Sequence, residues 1–580
     1  MRKFLIALAL TSALLAPLTS TQAQQQQPQQ RRGNNRNVAA TTANGANSRA
    51  ALAREDANNI TAAQLKNYLS FIASDEMEGR DTPSRGLDTT AKFIALNLAR
   101  WGFKPAGDDG TYFQRIALRR TKIDPAATRM EFGGKQYNFG EDFLAQATSG
   151  SANGSLVYVG SGWIVKSKNL NPYQNVNVKD KIVVVSGNGS SPFPKGITRA
   201  DLSGTRGEDW ADPVTAAQKL GAKGVIVIAD YQALANWDRT RQTAVERGNT
   251  IVEKFQSDDA PQIPIITLSP RLAQVLFQGE KQNAATIFNR NAAGDTSDSF
   301  ELAADKRVSF NVGVKAESLT TQNVVAVMEG SDPVLKNEYI ALGAHYDHVG
   351  VGAPGAGRGG AKPGDTSGDV LYNGADDDGS GTTALLAMAE TLGREPQRPR
   401  RSVLFVWHCG EEKGLWGSRY FTDNPTVPLN QIAAQINIDM IGRSRFPNDT
   451  VAANKELSAP NEVYVIGSRM MSTELGDLSE RVNRDYLNIK YDYRFDDPKD
   501  PNRFFFRSDH FNYARKGVPI IFFFDGVHED YHRPSDSPDK IDYQKMERIT
   551  RTVYLTMQEL ANANQRPRVD KQLPTELRGN

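Results

Sequence analysis

From residue 60 to residue 105 apolar side chains recur at helical spacing: Leu65, Leu69 and Ile72 first, then Ala91, Phe93, Ile94, Leu96, Leu98 and Trp101, ending at Gly102. The pattern predicts two helices at the entry to a globular body. Between about 126 and 305 the texture changes to short β-branched runs over 156–159, 182–185, 225–228 and 263–268, separated by Gly, Pro and Asn turns, with one helical stretch over 214–220. That predicts a β-rich module inserted into the body, and because it holds no histidine it carries no catalytic constellation of its own. From about 318 onward, strands predicted over 323–328, 339–344, 402–408, 435–440, 462–467 and 518–524 alternate with helices, among them 380–392 with Ala384, Leu385, Met388, Ala389 and Leu392 on one face. Such alternation predicts an α/β fold with an open mixed β-sheet sandwiched by helices.

The two ends read differently. Arg2 and Lys3 precede an apolar run over 4–15, and Thr21-Gln22-Ala23 precedes a glutamine tract, which is the layout of a secretory signal peptide over 1–23 cleaved after Ala23. A membrane anchor needs about 20 apolar residues, and Thr11, Ser12 and Pro17 interrupt this run. No later segment is apolar enough to span a bilayer, and no cysteine near Ala23 offers lipid attachment, so the expectation is an exported protein without a membrane anchor, with periplasm and external medium both open. Residues 24–54, rich in Gln, Asn, Arg, Ala and Thr, are expected to be a disordered linker. The remaining divisions are a first part of the catalytic domain over 55–125, the insert over 126–305, a second part over 306–565, and a tail over 566–580.

With 580 residues the chain is too long for one core, and two or three domains are expected. Its 69 basic and 67 acidic residues leave a net charge of +2 with no long basic block, which argues against nucleic-acid or anionic-membrane partners. Cys409 is the only cysteine, so no intramolecular disulfide forms, and its apolar neighbourhood suits a small buried residue better than a thiolate nucleophile.

All six histidines, 345, 348, 408, 510, 528 and 532, fall in the last region among many acids. His345 and Asp347 follow a predicted strand with the spacing that lets a carboxylate orient a ligand imidazole. Three carboxylates, Asp376, Asp377 and Asp378, stand just before a helix, where their mutual repulsion is relieved by a cation and one of them can cap the helix. Glu411 and Glu412 lie together beyond a strand, so one can bind metal while the other handles protons. Asp439, flanked by Ile438 and Met440, and the Tyr531-His532 loop complete the set. Nitrogen and carboxylate donors without thiolates suit zinc, with manganese or cobalt as substitutes.

Gly343-Ala344-His345-Tyr346-Asp347, the 375–381 loop, Glu411-Glu412, Ile438-Asp439-Met440 and Tyr531-His532-Arg533-Pro534-Ser535-Asp536 together resemble the M28 peptidase family, the co-catalytic zinc aminopeptidases. The likeness extends to Ser74-Asp75-Glu76-Met77-Glu78-Gly79-Arg80, and the insert resembles a protease-associated (PA) domain. The resemblance implies a zinc-peptidase-like fold and two zinc ions acting on peptide substrates: one ion on His345 and Asp439, the other on Glu412 and His532, with Asp377 between them. It implies Glu411 as general base, Asp347 as the orienter of His345, and Tyr531 as an oxyanion group. Other members carry that tyrosine ahead of the motif matching Ser508-Asp509, where this chain has Phe504, Phe505 and Phe506. A glutaminyl-cyclase-like acyltransferase with one zinc, and a non-catalytic binding protein on the same scaffold, are the alternatives; the complete five-ligand set argues against both. The expected activity is that of an exported zinc-dependent exopeptidase, with an aminopeptidase favoured over a carboxypeptidase; the pocket walls that decide between these two, side-chain preference and oligomeric state are not located by the motifs.

Three local patterns are set aside. His528-Glu529-Asp530-Tyr531-His532 matches H-E-x-x-H, which needs a helix, yet Gly526 and Pro534 bracket it closely. Gly350-Val351-Gly352-Ala353-Pro354-Gly355 fits a dinucleotide fingerprint but leads into more Gly and Pro instead of a helix. Ser508-Asp509-His510 is a triad only in one dimension, and no G-x-S-x-G occurs.

Overall fold

Ser402–His408 is apolar at nearly every position and buried at all seven, the mark of a strand covered on both faces. It lies inside a ten-stranded mixed sheet, whose strands in chain order are β1 (Lys104–Pro105), β2 (Phe113–Ile123), β3 (Asn249–Val252), β4 (Val314–Met328), β5 (Tyr339–His345), β6 (Ser402–His408), β7 (Ile432–Ile438), β8 (Glu462–Ile466), β9 (Lys490–Asp492) and β10 (Ile520–Phe524). The spatial order is β3-β2-β4-β6-β5-β7-β10-β8-β9, with β1 beside β4. The computed structural model describes residues 51–187, 193–256, 263–292, 298–352 and 368–574. The expected signal peptide, the linker up to residue 50, residues 353–367 of the glycine-rich loop and the end of the tail lie outside them. Residues 51–54, expected as linker, are helical, in keeping with good helix formers at Ala51, Leu52 and Ala53.

At the centre β6, β5, β7 and β10 run parallel, in register from His345 opposite His408 to Ile438 opposite Phe523. Four strands therefore end on the same side of the sheet. Helices α1 (Ala62–Ile72), α2 (Arg85–Arg100), α3 (Gly379–Arg394), α4 (Trp416–Asp423), α5 (Thr473–Asp485), α6 (His510–Ala514) and α7 (Tyr543–Asn562) pack on the sheet and on one another, with α3 meeting β5, α1 and α7. Caps fix where they start: Thr61, Ser84, Asp378, Ser472 and Asp542 accept backbone N–H groups of α1, α2, α3, α5 and α7. Trp407 and Phe405, fully buried and stacked 5.8 Å apart, each contribute roughly 1.5–3 kcal/mol of burial to this core. Among the tail residues, Leu573 is buried in the core and Arg566 donates to the carbonyl of Asn430.

A second, nine-stranded sheet lies between β2 and β4 in the chain. Its central strands, Gly150–Tyr158, Ile182–Ser186, Gly224–Ile228 and Ile265–Leu268, are parallel, and Pro213–Lys219, Pro270–Leu276 and Ala284–Ala292 supply helices. The module is thus α/β in texture, with Leu156, Ile182, Ile226, Ile266, Leu276 and Phe277 in its core. Its last strand, Arg307–Val312, pairs with Gly150–Tyr158, beyond the expected limit at 305. In the other direction β3, from inside the insert, pairs antiparallel with β2 of the larger sheet.

Candidate metal centre

The parallel strands deliver the chemistry at their carboxyl ends, where open α/β sheets bind ligands. His345 is the last residue of β5, Glu411 and Glu412 follow β6, Asp439 follows β7, and the loop after β10 carries Tyr531 and His532. Asp377 arrives from the turn before α3, on a cis Asp377–Asp378 peptide. The three carboxylates in that turn divide the work between them. Asp378 caps α3 by accepting from Gly381 N and also holds the N–H groups of Met440 and His345. Asp376 accepts from Gly442 N and faces His528 Nε2 at 3.3 Å. The backbone N–H groups of Asp376 and Asp377 are in turn held by the Asp536 carboxylate, leaving the Asp377 side chain to point into the site.

Two donor groups meet there. His345 Nε2 lies 3.2 Å from Asp377 Oδ1 and 3.6 Å from Asp439 Oδ1. On the other side His532 Nε2 lies 3.0 Å from Asp377 Oδ2 and 3.1 Å from Glu412 Oε1. Asp377 therefore offers one oxygen to each group. His348, absent from the expected ligand set, sits with the second group, its Nδ1 2.9 Å from Glu412 Oε1. Glu411 Oε2 is 4.0 Å from His345 Nε2, beside the first group. All six donors are buried, and His345 Nε2, Asp377 Oδ2 and Glu412 Oε1 have no hydrogen-bond partner despite that burial. A buried polar atom left without a partner is costly; a cation between the donors would satisfy all of them.

Asp347 is placed differently from the expectation. His345 Nδ1 meets the backbone carbonyl of Asp347 at 3.1 Å, while the carboxylate is 3.6 Å away and accepts instead from the backbone N–H of Glu411. The main chain thus orients the ring and the carboxylate ties strand ends together. Tyr531 stacks on His532 with ring centroids 3.9 Å apart, and its hydroxyl accepts from Arg507.

Charge crowding governs protonation. Burial pushes the Asp377 carboxyl up, but hydrogen bonds from His345 and His532 outweigh this and hold it well below the usual range. Glu412 is drawn down to about 2, with burial and Asp377 raising it and His348 and His532 prevailing. Burial disfavours charge on His532, yet Asp377 and Glu412 raise its imidazole to about 10. Burial lifts the Glu411 carboxyl well above normal, with Glu412 and Asp439 adding to the shift against His345. The carboxylates here hold protons on imidazoles, which a divalent cation would displace.

Arg80 stands out in the sequence only as the end of a motif. It is fully buried and donates to the carbonyls of Tyr346, Ile72, Asn373 and Gly374, joining the end of β5 to the turn before Asp377. Nothing local announces this reach across more than 250 residues. His408 Nδ1 faces Asp509 Oδ2 at 3.3 Å, so Asp509 belongs to that pair and no Ser508-Asp509-His510 relay exists. His528 and His532 lie outside any helix and face Asp376 and Asp377 respectively, as the sequence exclusion of H-E-x-x-H requires. Cys409 is buried, and burial pushes its thiol up, away from nucleophilic use.

A small cleft opens onto the site, lined by the acidic Asp377, Glu411 and Asp439, the apolar Met440, Phe504, Phe522, Phe524 and Val527, and by Arg507 and Tyr531.

Residues 323–557 match peptidase family M28. Leucine aminopeptidase 2 of Arthroderma otae is 28% identical over 326 residues, 55% of this chain and 57% of its own length. Leucine aminopeptidase 2 of Trichophyton equinum is 27% identical over 260 residues, 44% of each chain. This chain thus spans about half the length of the curated relatives it matches. The solved aminopeptidase from Aneurinibacillus sp. strain AM-1 superposes with a TM-score of 0.49 at 16% identity, over 90% of this chain and 97% of that one. The match to peptidase family M28 thus falls on residues 323–557, the part of the chain that carries both donor groups.

Proposed function

We infer that the protein is an exported zinc-dependent exopeptidase that removes apolar residues from the amino end of peptides. One observation carries the reading: two buried donor groups share the two oxygens of Asp377 at the ends of parallel strands, and His345 Nε2, Asp377 Oδ2 and Glu412 Oε1 among their facing atoms lack partners. His345, Asp377 and Asp439 would hold one zinc, and Asp377, Glu412 and His532 the other; nitrogen and carboxylate oxygen donors at these separations fit zinc. When bound, such a pair polarises a scissile carbonyl and makes water acidic enough to attack it.

The chain's own groups supply the rest. Glu411, the one carboxylate lining the cleft that belongs to neither donor group, is placed to take a proton from the attacking water and return it to the departing amine. Asp347 holds the Glu411 backbone. Tyr531, kept protonated by burial, offers a hydroxyl to the oxyanion. The substrate's side chain meets Phe504, Phe522, Phe524, Met440 and Val527. The names of the two leucine aminopeptidase relatives support the same choice. Export rests on the apolar run behind Arg2 and Lys3; among the described residues no helix is long and apolar enough to cross a membrane. The insert is read as a PA-like module.

Hydrolysis of free and N-blocked aminoacyl substrates, before and after chelation and zinc add-back, tests this reading. Cleavage of free leucyl and phenylalanyl substrates, lost on chelation and restored by zinc, is expected. Cleavage of blocked peptides alone would overturn the exopeptidase assignment, and chelator-resistant activity would overturn the metal mechanism.

A further inference from the structure

His348 is spent on nothing described so far. It is fully buried, and its backbone N–H is held by the carbonyl of Arg80 at 3.1 Å. A Cβ at Gly374 would stand 2.5 Å from two of its ring carbons, so the glycine lets the turn before Asp377 close directly over the imidazole. Neither ring nitrogen has a hydrogen-bond partner, although Nδ1 is 2.9 Å from Glu412 Oε1 and 3.8 Å from Asp377 Oδ2. These are the same two oxygens that His532 Nε2 approaches at 3.0 and 3.1 Å. The two rings meet edge to face with centroids 5.6 Å apart, so they come at the oxygens from different directions.

Four donors around a tetrahedral zinc with bonds of about 2.1 Å stand roughly 3.4 Å from one another. The four separations between imidazole nitrogens and carboxylate oxygens here straddle that value. The first group, by contrast, brings only His345, Asp377 and Asp439. On the strength of the two-metal reading above, we propose that His348 Nδ1 is a fourth protein ligand of the second metal position. That position is then closed by His348, His532, Asp377 and Glu412. The first position keeps an open coordination place, and Glu411 stands on its side. The rival account makes His348 a positioning residue that donates one hydrogen bond to Glu412.

X-ray absorption on the full wild-type chain loaded with zinc decides between them without any substitution. Three imidazoles shared between two ions are expected; two would overturn the proposal. Zinc titration of the chelated chain is the second measurement. Wild type takes two ions, and His348→Ala and His348→Gln both lose affinity for one of them by more than about 100-fold, beyond what loss of an outer hydrogen-bond partner costs. Glutamine keeps a donor for Glu412, so restoration of the second ion by His348→Gln would overturn ligation in favour of positioning. A wild-type chain that binds no zinc would sink the two-metal reading itself, whereas two ions in wild type and unchanged affinity in both variants would sink only the role of His348.

Discussion

Asp347 Oδ1 accepts the backbone N–H of Glu411 at 3.1 Å, so the loop after β5 is fastened to the loop after β6 at the point where the proposed base enters the site. The Asp347 carboxylate is therefore fastened more directly to Glu411 than to the His345 ring, which it approaches at 3.6 Å. Asp347→Ala is expected to lower kcat by about 10–100-fold, with a smaller loss for Asp347→Asn, which keeps an acceptor. Steady-state kinetics together with zinc content will check this; full kcat in Asp347→Ala would remove its positioning role.

Glu411 belongs to neither donor group, so Glu411→Gln should leave zinc content unchanged while kcat falls by about 10²–10⁴, the usual worth of a general base. KM should move little. A variant that loses zinc along with activity would show that Glu411 is a ligand instead.

Arg80 places four hydrogen bonds on carbonyls inside the fold. Arg80→Met fills much of the volume but strands those acceptors, each costing roughly 1–3 kcal/mol when left dry. Denaturant unfolding of the zinc-free chain should show a loss of about 3 kcal/mol or more. A change below about 0.5 kcal/mol, the ordinary size of surface effects, would mean that the clamp is dispensable.

Burial, assisted by Asp56 and opposed by Gln558, raises the Glu395 carboxyl to about 8. Tyr554 and Gln558 both donate to it. Its folded value lies above its unfolded one, so its contribution to stability is complete below pH 4.5. That contribution declines by up to about 1.4 kcal/mol per pH unit and is lost as pH rises through about 8. Glu395→Gln removes the titration, so thermal unfolding of the variant relative to wild type should shift in the variant's favour between pH 5 and 9. A difference that stays flat across that range would refute the assignment.

Legibility from sequence follows burial and locality. β6 is predicted at its observed limits because an apolar run buried on both faces has no polar residue to confuse it. β4 is predicted only from residue 323, since its first half, with Lys315, Glu317 and Ser318 exposed, gains its conformation by pairing with β2 and not by burial. β2 itself, with Arg115, Arg119 and Arg120 among its apolar residues, escapes for the same reason. His345, Asp377, Glu412, Asp439 and His532, which the structure draws together, stand out because each lies beyond a strand or before a helix among acids. His348 gives no such signal inside a glycine-rich loop, and the partners of Arg80 and Asp347 are contacts made only when distant segments meet.

The four residues of β3 come from the second body yet finish the larger sheet, lying along β2 from Thr121 to Leu118. An open row of amides on β2 would be a template for a foreign strand, and β3 is short enough to cover part of it without becoming a long template in its turn. The insert is therefore a stopper on that edge. A chain from which it is excised should self-associate in sedimentation experiments even when its metal centre is left whole.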